Sequence, residues 1–254
     1  MNKLLITVAY DGTAYCGYQV QPNGISIQQR LNEASEALFG FPCDIVGCSR
    51  TDSGVHAHAF CATVVKKGSD ALPTAIPVER IPLALSAHLP IDIAVREARW
   101  VSSEFHARYD VKEKEYVYRI YNAPVRSPFE EGRAAHIPKL IDEMALERMN
   151  QAAKTWIGTQ DFAAYMAQGS KITDTVRTVT DAYVVREGDV LCFHVAADGF
   201  LYHMVRILAG TLLAVAEGKL TPADVCAVTA SRDRARAGIT MPACGLYLHR
   251  VAYR

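Results

Sequence analysis

VTDAYVVREGDVLCFHVA, residues 179–196, sets two β-rich runs, Val179–Val185 and Val190–Ala196, on either side of Arg186-Glu187-Gly188-Asp189. Short apolar runs split by a Gly-Asp turn read as a β-hairpin, which makes its two strands antiparallel. Working outward, an apolar helix is expected from about Tyr202 to Val215, and Thr221-Pro222 supplies an N-cap with proline at the first helical position. Gly245 to Val251 reads as a last strand. Upstream, a helix is expected from about Asp142 to Ile157. Its buried stripe is Leu146, Met149, Ala153 and Trp156, and Gly158 ends it. The alternating aromatic run Tyr116–Tyr121 reads as a half-buried strand.

The first hundred residues repeat the mixture. Leu4–Ala9 reads as a strand closed by Asp11-Gly12. A helix starts at Ser26, with Ser26 and Gln29 as a capping box, Ile27, Leu31, Ala34 and Leu38 on one face and Gly40 as its C-terminal cap. Ile45–Cys48, Phe60–Val65 and Ile93–Val101 read as strands, with a proline-rich loop and a short helix between the last two. Helices and strands therefore mix in both halves, which predicts an α+β fold of helices packed on largely antiparallel sheets. A break at Ser102-Ser103 places a domain boundary near residue 105. That gives an N-terminal α+β domain over 1–105 and a C-terminal one over 106–254. VAYDGTAY at 8–15 is echoed by VAADGFLY at 195–202, as two related halves or as chance.

Composition narrows the function. Half of the 254 residues are hydrophobic and 21% are charged, as in ordinary globular proteins. No run approaches the ~18 apolar residues of a membrane span. The opening MNKLLITVAYDG lacks the cleavage site of a signal peptide, so the cytoplasm is the expected compartment. Seven scattered cysteines include no C-x-x-C pair, which argues against a disulfide framework and against a structural zinc site. The 27 basic and 27 acidic residues cancel. A nucleic-acid binder usually has a basic excess, though a local basic cleft can sit on a neutral protein.

The segment richest in chemistry is GCSRTDSGVH, residues 47–56, a polar turn between two apolar runs. Its one carboxylate, Asp52, lies two residues from Arg50. A neighbouring cation favours the ionised carboxylate, and such a group in a sheltered cleft is a nucleophile or a base. Equally, Asp52 could serve only to close a turn onto the amides of Ser53 and Gly54. A metal reading competes, in which His56 and His58, two apart on a strand, join Cys48 or Cys61.

Over nearly its whole length the chain resembles the TruA family of tRNA pseudouridine synthases, on six short motifs. YDGTAYCGYQ at 10–19, RTDSGVH at 50–56, FHARY at 105–109, YVYRIYN at 116–122, HMVR at 203–206 and GLYL at 245–248 are similar to six family signatures in the family's order. The departures are Tyr18 for Trp, Ser49 for Gly and Ser53 for Ala, with changes at Leu208 and Ala209. The resemblance implies isomerisation of uridine to pseudouridine at positions 38–40 of the tRNA anticodon arm, with no cofactor or metal. It implies a pseudouridine synthase-like fold with a central RNA-binding cleft, and a homodimer whose joined surface concentrates arginine. Asp52 becomes the essential carboxylate. Tyr116 becomes the aromatic beside the uracil, where alternation alone would make it a sheet-core residue. Arg206 becomes a partner for Asp52 rather than a surface arginine. Leu246 becomes an apolar wall rather than ordinary core. Arg50, Arg108 and Arg177 become candidate phosphate contacts, while His56 and His106 either touch RNA or brace their turns.

Overall fold

The computed structural model describes residues 2–170 and 172–253. The chain divides into two compact units. One comprises residues 1–112 with 248–254, the other 113–247.

The first unit is a sheet with helices. β1 (Asn2–Tyr10) runs antiparallel to both β3 (His56–Lys66) and β4 (Ile93–Ser102), and β2 (Cys43–Gly47) runs antiparallel to β3. The terminal strand β10 (Leu246–Tyr253) follows β3 in the order β4-β1-β3-β10, and its residues from Leu248 onward belong to this unit. Leu4, Ile6 and Val8 of β1 and Phe60, Ala62 and Val64 of β3 are fully buried. So are Ile27 and Leu31 of α1 (Ile27–Phe39), and Ile81 and Leu85 of α2 (Ile81–Ser86). Each such aliphatic side chain contributes about 1.5–3 kcal/mol when removed from water. Ser26 caps α1 by accepting from Gln29 N, and Gly40 ends it in the left-handed conformation. The reciprocal half of the expected capping box does not form there, because the Gln29 side chain donates instead to Glu33 one turn on. The β1–β3 register slips between Val8 and Tyr10. Such irregularities redirect a strand, and here the chain leaves the sheet into residues 11–26.

The second unit has a sheet in the order β5-β9-β8-β7. Its strands are β5 (Val111–Tyr121, here from Glu113), β7 (Gly158–Asp161), β8 (Val176–Glu187) and β9 (Val190–Ala197), and all three of these pairings are antiparallel. β6 (Ala135–His136) adds a short parallel pairing to β5. The hairpin between β8 and β9 turns on Gly188-Asp189, tighter than the four-residue turn expected, with Gly188 at φ 61°. α3 (Glu143–Lys154) packs on β8 and on α4 (Met204–Ala216). Asn150 fastens it there, giving Nδ2 to Val184 O at 2.9 Å and accepting Val184 N at 2.8 Å. The helix stops at Lys154, and Gly158 opens β7 rather than capping the helix. Trp156 is nonetheless buried as its stripe requires, donating to Tyr165 Oη at 3.0 Å. A complete capping box forms on α5 (Pro222–Ser231), between Thr221 and Asp224. Among the described residues no helix is long and apolar enough to cross a membrane.

Candidate active site

In the first unit the RTDSGVH segment leaves β2, turns and enters β3 at His56. Val55 N bonds back to Asp52 O at 3.2 Å, and Gly54 takes φ 77° at the third turn position, where a type II turn requires the left-handed region. Thr51, Val55 and His56 are buried beneath this turn, whereas Asp52 is half-buried and Arg50 exposed.

The segment YDGTAYCGY at 10–18 wraps around that turn. Tyr10 Oη meets Thr51 Oγ1 at 2.8 Å. Tyr18 N donates to Thr51 O at 3.1 Å, and Ser53 Oγ donates to Tyr15 O at 3.0 Å. Gly12 N donates to His56 Nδ1 at 3.1 Å. Asp11 Oδ1 lies 3.2 Å from that same nitrogen. One ring nitrogen cannot accept from Gly12 and donate to Asp11 together: the backbone bond needs the proton on Nε2 alone, and a bond to Asp11 needs a proton on Nδ1. Two glycines make the wrapping possible. A Cβ on Gly12 would run into the Val55 carbonyl, and one on Gly17 (φ 81°) would lie 2.7 Å from Thr51 O. The YDG and CGY signatures thus have a steric purpose: they let one backbone lie against another and fix the turn that presents Asp52.

His56 braces the turn, buried to 2% exposure. His58 is exposed and meets His249, with Nδ1 atoms 3.1 Å apart. The two histidines expected to share a metal therefore have different neighbours. Among the described residues no three His, Cys, Asp or Glu side chains converge as metal ligands, and no cysteine is bonded to another.

FHARY at 105–109 forms a turn in the same unit. Phe105 packs on Tyr253 with centroids 4.9 Å apart, and Tyr253 Oη donates to Ala107 O at 2.9 Å. Asp110 Oδ2 caps His106 N at 2.8 Å, and His106 Nδ1 accepts from Arg108 N and Tyr109 N. Arg50 and Arg108 line one cavity of this unit.

The second unit holds Tyr116, Arg206 and Leu246. Tyr116 lies on β5 opposite Val195, buried, with Phe200 edge-on at 5.0 Å. Arg206 is in the first turn of α4, whose N-cap His203 takes φ 59°. Its Nε donates to Met241 O at 2.7 Å, and Met241 N returns a bond to Arg206 O at 3.2 Å. The chain at 238–241 reaches that position by crossing α4 at glycine. A Cβ on Gly210 would strike the Ile239 carbonyl, and Gly238 N donates to Thr211 Oγ1 at 2.9 Å. Beyond Met241, Tyr118 Oη donates to Pro242 O at 2.7 Å, and burial pushes its hydroxyl well above the usual phenol range. Leu246 follows this clasp as the buried first residue of β10. Arg177 folds back along its own chain, with Nη1 3.1 Å from Asp174 O and 2.5 Å from Val176 O.

Sequence reading missed the clasp in which Arg206 holds Met241 and Tyr118 holds Pro242. Its signal was present as Gly210 and Gly238, glycines in a helix and a loop, where only a close backbone crossing explains both.

A family model described as tRNA pseudouridine synthase matches residues 152–254. The tRNA pseudouridine synthase A of Acetivibrio thermocellus is 40% identical over 253 residues, that of a Thermoanaerobacter species 41% and that of Clostridium acetobutylicum 38%, each alignment covering 100% of both chains. The solved structure titled "Crystal Structure of a Cbf5-Nop10-Gar1 Complex" matches 96% of this chain and 57% of its own at 12% identity, with a TM-score of 0.37, a likeness too loose to build on. With identity of this level running from end to end, the chain belongs to the tRNA pseudouridine synthase A family, a family of isomerases.

Proposed function

We propose that this protein isomerises uridine to pseudouridine at positions 38–40 of the tRNA anticodon arm, with Asp52 as the catalytic carboxylate. The observation that carries the reading is the RTDSGVH turn, clasped by residues 10–18 through backbone bonds and glycine contacts. A carboxylate held in one place is what an enzyme needs from a group that must meet a sugar or a base at reacting distance.

The reaction breaks the C1′–N1 bond of uridine, turns the base and joins C1′ to C5. C5 releases its hydrogen as a proton and N1 takes one up, so atoms and electrons balance without an oxidant, a reductant or a group donor. The target base must leave its stack, and such bases are held against aromatic or apolar side chains. Tyr116 and Leu246 take that role here, with Arg206 supplying positive charge and Arg50 a contact to the RNA backbone. The family membership supports tRNA as the substrate. A homodimer in the cytoplasm completes the proposal. Joining two copies offers one way for a chain of zero net charge to gather arginines along one RNA.

The test is tritium release from tRNA labelled at uracil C5, comparing wild type with Asp52→Asn, without added metal. Release by wild type, lowered by on the order of 10³-fold or more in the mutant, is the expected result. No release by folded wild type from several unmodified tRNAs would overturn the reading and leave an RNA-binding protein without this activity.

A further inference from the structure

The cavity that Arg50 and Arg108 share has a volume of about 270 Å³, and Tyr18, Val46, His106 and Tyr109 are also in its lining. All of these residues belong to the first unit. Three features give the cavity a chemistry.

The first is unspent positive charge. Neither Arg50 nor Arg108 meets a carboxylate among the described residues. In a chain whose charges cancel overall, two unmatched guanidiniums in one cavity form a local anion site. The second is the state of His106. Its Nδ1 accepts two backbone amides, at 3.1 and 3.3 Å, so the neutral ring carries its proton on Nε2, as a donor. The third is Tyr109, 76% exposed although aromatic. The His106 ring lies 4.2 Å from it and the Arg108 guanidinium 6.0 Å, so it is held in place without being covered. Donors without acceptors suit a phosphate, and an exposed, braced aromatic ring suits a base.

We propose that this cavity is a nucleotide subsite for the substrate RNA, where Arg50 and Arg108 bind one phosphodiester and an unpaired base beside it stacks on Tyr109. The subsite lies next to the Asp52 turn, because Arg50 belongs to that turn. It therefore holds a nucleotide near the one being isomerised, not the reacting uridine itself. The assignment rests on the reading that the protein acts on tRNA, and it adds which residues take the neighbouring nucleotide and by what contact. Tyr109 is a substrate-binding residue. It touches RNA without taking part in the chemistry.

The test uses the full-length protein and an unmodified tRNA transcript. Tyr109→Ala, Tyr109→Phe and Arg108→Ala are compared with wild type for tRNA dissociation constant, its salt dependence, and kcat and KM of tritium release. Tyr109→Ala should weaken binding and raise KM by about tenfold, with kcat within about twofold. Tyr109→Phe should stay close to wild type, because the ring remains. Arg108→Ala should lower the slope of log affinity against log salt by about one. Tyr109→Ala that binds and turns over as wild type, or Tyr109→Phe as impaired as Tyr109→Ala, would overturn the subsite. If wild type releases no tritium while Tyr109→Ala still loses binding, the catalytic reading fails and the subsite stands.

Discussion

The Asp52 turn and the Arg206 clasp each hold one charged side chain, by different means. Around Asp52 the restraint is backbone on backbone. Residues 10–18 approach so closely that glycine is required at 12 and 17, and Tyr10, Ser53 and His56 add side-chain bonds. Around Arg206 the restraint includes a bond from its side chain to Met241 O, which the glycine crossing at 210 and 238 brings up to the helix. A close-packed backbone contact resists displacement in every direction, because nearby atoms have nowhere to go. A hydrogen bond at the end of a long side chain acts several torsions away from the backbone, so it constrains the helix less directly than a backbone contact does. Backbone packing therefore sets the position of the Asp52 turn, whereas the Arg206 side chain is placed through contacts at its far end.

The largest effect should follow from breaking the backbone contact. Gly17→Ala forces a Cβ into a left-handed residue, at a cost of about 1–2 kcal/mol, and into Thr51 O, at about 1–3 kcal/mol more. Urea melts should show both costs together, and tritium release should fall by on the order of 10²-fold as the turn moves. Wild-type melting in Gly17→Ala would mean that the wrapping is loose and the contrast between the two regions false. Arg206→Ala should cost less stability. It gives up the charged bond to Met241 O, about 1.5–3 kcal/mol, while turnover falls by about 10²-fold. Near-normal turnover in folded Arg206→Ala would remove Arg206 from the site. Arg206→Lys sharpens the point, since it keeps the charge and loses the Nε donor.

A smaller pair of effects has opposite signs for one chemical change. Tyr10→Phe deletes the bond to Thr51 and leaves a buried hydroxyl short of a partner, so it should destabilise by about 1–2 kcal/mol. Tyr18→Phe deletes a buried hydroxyl with no hydrogen-bond partner among the described residues, while its ring stays stacked on Phe60 at 4.2 Å. Removing such an orphan should leave stability unchanged or raise it by about 1 kcal/mol. Thermal melts of the two variants decide it. Equal destabilisation would show that Tyr18 Oη is satisfied in solution.

These contrasts bear on what could be read from the residues alone. The hairpin, the α1 cap, the Leu146–Trp156 stripe and most strands were legible, because each follows from local periodicity and turn chemistry. The RTDSGVH turn was legible as a loop between strands, and its resemblance to a known signature drew attention to Asp52. The reason for Gly12 and Gly17 was not legible, since it depends on Val55 and Thr51, more than thirty residues away. Gln29 misled because a capping box needs its side chain to turn back, and Glu33 offered a competing partner on the helix face. Gly158 misled because a glycine after an apolar stripe fits a helix cap and a strand start equally well. Arg50 and Arg108 are 58 positions apart, and no local pattern joins them in one cavity.

The smallest effect probes how rigid each region stays in solution. Cys48 is fully buried beside the Asp52 turn, Cys244 is half-buried just before Leu246, and Cys226 is exposed. Because the thiolate is the reactive form, labelling depends on exposure and on the thiol's pKa together. Burial pushes Cys43 and Cys192 up to about 11, so both should label slowly at pH 8. Burial also raises the Cys244 thiol, but its partial exposure leaves it open to reagent. The expected order by mass-resolved labelling is Cys226 first, Cys244 next and Cys48 far behind. If Cys48 keeps pace with Cys244, the turn opens on the labelling timescale. Asp52 would then owe its position to bound RNA rather than to residues 10–18, and the contrast with the Arg206 side chain would collapse.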